Sequence, residues 1–200
     1  MSAAAAALLI ACLLPSWANA QVVCTLGSAA AAYSASKDQR PSADAMHLAS
    51  RAYEAAKQIC GSSCPEVILY RNATASNLML IANSGRAKIV YAPNFISGVY
   101  DRHGDAGVTA VISHELGHAL DDSLGAAWVD RKWTAELHAD AWAGCVLAKI
   151  DLKPKDLEGA LAALEEHPSS AHPAWSIRLP AIRAGYSHCG GAETGLRYPR

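Results

Sequence analysis

The stretch VTAVISHELGHALDD, residues 108–122, constrains this chain more than any other. Its apolar residues recur at helical spacing, so it reads as a helix over 108–121. The same helix carries His114, Glu115 and His118. Polar groups on so apolar a helix cost free energy unless they find partners. Positions i and i+4 share a helix face about 5–6 Å apart at Cβ, so His114 and His118 can hold one ion between their rings. Glu115 lies about 100° round the helix and can reach a water on that ion. This is the His-Glu-x-x-His arrangement, in which a glutamate serves as general base beside zinc. The five-letter pattern also arises by chance on amphipathic helices, so a second feature has to carry the reading.

A catalytic zinc takes three protein ligands and keeps one position open. The next helical stretch, TAELHADAWAG (134–144), offers two carboxylates one turn apart, Glu136 and Asp140. Glu136 follows His118 at a distance that allows a turn and an antiparallel return, which suggests it as third ligand. Asp140 then suits a carboxylate that hydrogen-bonds the far nitrogen of a ligand histidine and fixes its tautomer. The bland reading of both is a solvated helix face. Ala135, Leu137, Ala139, Ala141, Trp142 and Ala143 argue against it, because they make this helix largely buried.

Together, HELGH and ELHADAWAG resemble the gluzincin zinc metallopeptidases, most closely HtpX and its relatives, in a short secreted form. Two further stretches are similar to that group. SSAHPAWSIR (169–178) resembles its Ser-x-His-Pro segment followed by Arg. NLMLIANSGRAKIVYAPNFI (77–96) is similar to the strand pair ahead of its His-Glu helix. The resemblance spans roughly residues 41–186. It implies a zincin-like α+β fold with one Zn2+ per chain. It also implies a place for His172 near the metal, approaching it or steadying the oxyanion. Arg178 would orient that loop or pair with a carboxylate such as Asp140. An extended substrate would add as a strand to the sheet edge formed by residues 77–93. The chain departs from most of the group in having no long hydrophobic segment after residue 20 and a shorter gap between His118 and Glu136. A bacterial group of neutral zinc metallopeptidases carries a similar Glu-Leu-x-Ala-Asp helix.

The rest of the 200 residues are organised as one domain over 21–200. Residues 1–20, MSAAAAALLIACLLPSWANA, hold an uncharged apolar run closed by Ala18-Asn19-Ala20 and read as a cleaved export signal. A membrane anchor and a lipoprotein signal at Cys12 are the other readings. The expected location is periplasmic or secreted. Helices are expected over 41–60, 128–150, 153–167 and 173–186, with Pro180 kinking the last. Strands are expected over 66–71, 77–83 and 87–93. Such a chain is α+β, a small, mostly antiparallel sheet packed with helices. Cys60 and Cys64 flank a tight GSS loop and suit a disulfide, or half of a metal site. Cys24 and Cys189 lie near the mature ends and are expected to pair, leaving Cys145 as a buried thiol. A formal net charge of -1 gives no basic stripe for nucleic acid and no polybasic membrane patch.

The function expected is hydrolysis of a peptide or unfolded protein by a zinc-activated water, with Glu115 as base. A zinc-holding envelope assembly or binding factor without hydrolysis is the alternative. It gains if His172 permanently closes the fourth metal position. His47, His103, His138, His167 and His188 have no partner at metal spacing and are expected to be structural or solvent-facing.

Overall fold

Ser42 opens the first helix, α1 (Ala43–Cys60), its hydroxyl accepting a hydrogen bond from the Ala45 amide. Ala45, Leu48, Ala52, Ala55 and Ala56 line its buried face. Gly61 closes it at φ 55°, and the Cys60–Cys64 disulfide ties off the turn that follows. A computed structural model describes residues 33–82, 86–125, 127–167 and 172–192, together with the backbone of 21–26 and 83. The export signal expected at residues 1–20 lies outside the described residues.

The strands are β1 (Gln21–Leu26), β2 (Glu66–Arg71), β3 (Leu78–Asn83) and β4 (Arg86–Tyr91), in the order β1-β3-β4-β2. β3 and β4 form an antiparallel hairpin. β2 runs parallel to β4, so the sheet is mixed and antiparallel in two of its three pairings. β1 adds antiparallel to β3, with a register shift between Val22 and Cys24 that leaves Val23 as a bulge. Neither strand of the 77–93 hairpin is therefore a free edge, contrary to the sequence expectation: β1 covers one side and β2 the other.

Alternation decides which strand residues meet the helices. Leu78, Leu80, Ala87, Ile89 and Tyr91 join the main core with α1 and the helices that follow. Met79, Ile81 and Val90 face the other way and pack with Tyr33 and Tyr70. On that outer face Lys88 is buried. Its ammonium lies 2.6 Å from Asp38 Oδ2 and 2.6 Å from the Tyr33 hydroxyl, which straps residues 33–38 across the sheet.

α2 (Pro93–Leu124) starts well before residue 108, with Pro93 in its first turn, where a missing N–H costs nothing. Gly104 interrupts it at φ 61°, ψ -159° and separates two helical stretches. Glycine carries that conformation without a Cβ clash. α3 (Ala135–Ile150) starts later than expected. The Asp130 side chain accepts from the Lys132 amide and its carbonyl from the Trp133 amide, a local turn that competes with helix. α4 (Pro154–Glu166) and α5 (Trp175–His188) are the last helices among the described residues, and Pro180 sits inside α5 without ending it.

α3 and α5 approach closely. A Cβ on Gly144 would strike the Ile182 backbone, and one on Gly185 the Ala141 backbone. That contact brings Cys145 against Cys189, and the two form the second disulfide. The expected Cys24–Cys189 pairing is corrected accordingly, and Cys145 is not a lone thiol.

Candidate metal centre

The lower half of α2 presents His114, Glu115 and His118, all buried. α3 packs against it with Gly117 as the point of closest approach, where a Cβ would meet the Ala139 backbone. This registers the first turn of α3 against the two histidines, and Glu136 and Asp140 enter the same space. His172 comes from the segment ahead of α5, and Arg178 from the first turn of α5.

Three imidazole nitrogens converge on one carboxylate oxygen. Glu136 Oε2 lies 3.3 Å from His114 Nε2, 3.7 Å from His118 Nε2 and 2.5 Å from His172 Nε2. Ligand-type atoms of His114, Glu136 and His172 all fall within 4.8 Å of one another. The His114 ring stands nearly perpendicular to those of His118 and His172, with centroids 5.0 and 5.1 Å away. His118 Nε2 is buried and makes no hydrogen bond. A buried imidazole nitrogen of that kind, beside two others and a carboxylate, is what a divalent cation would satisfy.

A second tier holds the first. Asp140 Oδ1 is 2.9 Å from His114 Nδ1. Arg178 donates from Nε to Asp140 Oδ2 and from NH2 to Oδ1, both at 2.8 Å, and from NH1 to the Leu164 carbonyl at 2.8 Å. All of Arg178, Asp140 and His114 are essentially inaccessible. Arg178 thereby fixes Asp140, which fixes the tautomer that turns His114 Nε2 inward.

The electrostatics follow from this packing. Burial alone lowers the His114 pKa, but hydrogen bonds with Asp140 and Glu136 and the nearby Glu115 charge outweigh it and lift the ring to about 9. Burial dominates at His118 and pushes its pKa below the usual value, against the nearby Glu136. Burial opposes ionisation of Glu136, yet the three histidines hold it far below the usual carboxylate range. Asp140 is held low in the same way, by His114 and Arg178 against its burial. Both carboxylates are thus favoured as anions beside His114, in a group of side chains that could hold a metal ion.

Of the residues singled out from the sequence, His114, His118, Glu136, Asp140, His172 and Arg178 are brought together by these contacts. Glu115 is fully buried on the same helix. The Leu164 carbonyl is a member that the sequence could not reveal, because backbone acceptors leave no residue-type signal. His138, set aside from the metal, bonds through Nδ1 to Asp121 at 2.9 Å, and Trp142 Nε1 donates to the same carboxylate. These two bonds tie α3 to the end of α2. Arg102 and His103 both reach Glu166, at 3.0 and 2.8 Å, and hold the end of α4 from which the chain leads to His172. No family model, curated protein or solved structure matches this chain, so the reading of the site rests on its own residues and their geometry.

Proposed function

We propose that the protein is a zinc-dependent peptidase of gluzincin type, cleaving peptides or unfolded proteins outside the cytoplasm. The observation that carries this reading is the convergence of three imidazole nitrogens on Glu136, with Glu115 one residue along from His114. The fit to the metal is chemical: two histidines and a carboxylate form a donor set that suits zinc. His114, His118 and Glu136 would hold it. A bound zinc supplies Lewis acidity towards a carbonyl oxygen and lowers the pKa of water to about 7.

The remaining work falls to this chain. Glu115 takes a proton from the attacking water, whose oxygen bonds to the peptide carbonyl carbon. As the C–N bond breaks, Glu115 passes that proton to the leaving nitrogen. Asp140 and Arg178 keep His114 in place throughout. His172 lies beside Glu136 and is suited to steady the developing oxyanion. Two disulfides accord with export to an oxidising compartment. No helix among the described residues is long and apolar enough to cross a membrane.

Zinc content and casein hydrolysis of residues 21–200, beside Glu115→Gln, test the proposal. The expected result is one zinc in both proteins, with hydrolysis reduced by about 100-fold or more in the variant. A wild-type chain that takes up no zinc under metal-replete conditions would sink it. One observation favours a second reading. His172 Nε2 is nearest of the three histidines to Glu136, as it would be in a closed four-ligand site that holds zinc for binding or assembly. Zinc retained with no hydrolysis in the wild type or in His172→Ala would select that reading.

A further inference from the structure

A cavity of about 460 Å3 lies where one end of the sheet, the start of α1 and the first half of α2 meet, and no residue of the metal centre lines it. That size suits a small molecule. Two contacts build it. Arg71, the last residue of β2, pairs with Tyr91 on β4. The buried Tyr91 hydroxyl accepts a hydrogen bond from the Ser42 amide at 3.0 Å and so joins this end of the sheet to α1. Ala45, Leu48 and Val108, all buried, give the cavity an apolar floor.

Three charged side chains line the same cavity, one from each element. Arg71 comes from β2, Asp44 from the first turn of α1 and Asp105 from α2, just past Gly104. They do not neutralise one another. Among the described residues, Arg71 donates one side-chain hydrogen bond, to Gln39 Oε1 at 2.8 Å, and neither aspartate carboxylate has an ion pair or a hydrogen bond. Both aspartates open a helical stretch, where the amide dipoles favour a negative charge, so neither needs a side-chain partner. The exposed ring of Tyr100 lines the cavity as well and offers a face to an ammonium. A purely apolar ligand would strip water from these charges with nothing in return. A simple cation would use neither Arg71 nor the floor. We infer that the cavity binds a short apolar peptide as its zwitterion, with the carboxylate at Arg71, the ammonium at Asp44 and Asp105, and the side chains on the floor. The inference does not rest on the peptidase reading, although fragments of this kind are what that reaction releases.

The probe is leucyl-leucine, titrated calorimetrically into Glu115→Gln so that the proposed hydrolysis cannot consume it. One site is expected, with a Kd below about 1 mM. Arg71 and Asp105 are both at least partly exposed, so Arg71→Gln and Asp105→Asn should leave the fold intact. Each should weaken binding about tenfold or more, as loss of a hydrogen bond to a charged group does. Capping the ligand supplies the paired control. Leucyl-leucine amide should bind Arg71→Gln and its parent equally weakly, and N-acetyl-leucyl-leucine should do the same with Asp105→Asn and its parent. No saturable binding in the millimolar range, or binding that either substitution leaves unchanged, would overturn the inference. A protein that binds leucyl-leucine in this way, but whose wild type hydrolyses no casein, overturns the peptidase reading alone.

Discussion

Arg178 is 1 % exposed and Asp140 fully buried, so each depends on the other to be tolerated where it is. Removing one partner of such a pair leaves an uncompensated buried charge and costs about 3–5 kcal/mol. Arg178→Ala should lower unfolding stability by about that amount in urea titrations. Arg178→Lys should recover only part of it, because an ammonium cannot replace the two-pronged contact. Within the proposed zinc site, Asp140→Asn should weaken metal binding by about 10–100-fold in chelator competition. It should also flatten the acid limb of the stability curve. The folded pKa of Asp140 lies below its ordinary value, so its contribution is present above about pH 4 and lost as pH falls through the folded value. Of these residues, the sequence made His114, Glu115, His118, Glu136 and Asp140 legible, since fixed helical spacing says which side chains share a face. His172 and Arg178 were legible only through resemblance. Nothing local reports that the start of α5 folds back onto α3.

At the scale of elements, strand limits were readable to within a residue or two because short apolar runs are bounded by turn-forming residues. Their neighbours were not readable. β2 bonds in parallel to β4 rather than to β3, the next strand in sequence, and β1 was not anticipated as a strand. The first half of α2 was hidden by Ser97, Gly98 and Gly104, residues that punctuate loops elsewhere. Cys145–Cys189 was hidden because its geometry depends on how closely α3 and α5 pack. That packing leaves no room for a side chain: Gly185→Ala should cost about 1–3 kcal/mol by overpacking, seen as a lowered Tm. Disulfide stabilisation grows with the loop closed. Cys145 and Cys189 are 44 apart in sequence, and Cys60 and Cys64 only 4. Replacing the first pair by alanine should therefore lower stability by about 2–4 kcal/mol, and replacing the second by less, in the same denaturation assay.

Across the whole molecule, the α+β class followed from the mixture of periodicities, and the sheet's position over α2 follows from Leu78, Leu80, Ile89 and Tyr91 facing one way. Within the proposed activity, zinc bound to the folded state alone adds stability by mass action, about 4 kcal/mol at a free concentration of 1,000 times its Kd. Chelation should thus lower Tm, and the drop should vanish in a chain whose His114 and His118 are both alanine. The order of the parts along the chain has a bearing on timing. Glu136, His172, Arg178 and Cys189 arrive from the ribosome in that order, and the contact that fixes His114 is incomplete until α5 has docked. A growing chain therefore carries His114 and Glu115 before the contacts that hold His114 in place exist, and the buried cluster is complete only once the last helix has been made and docked.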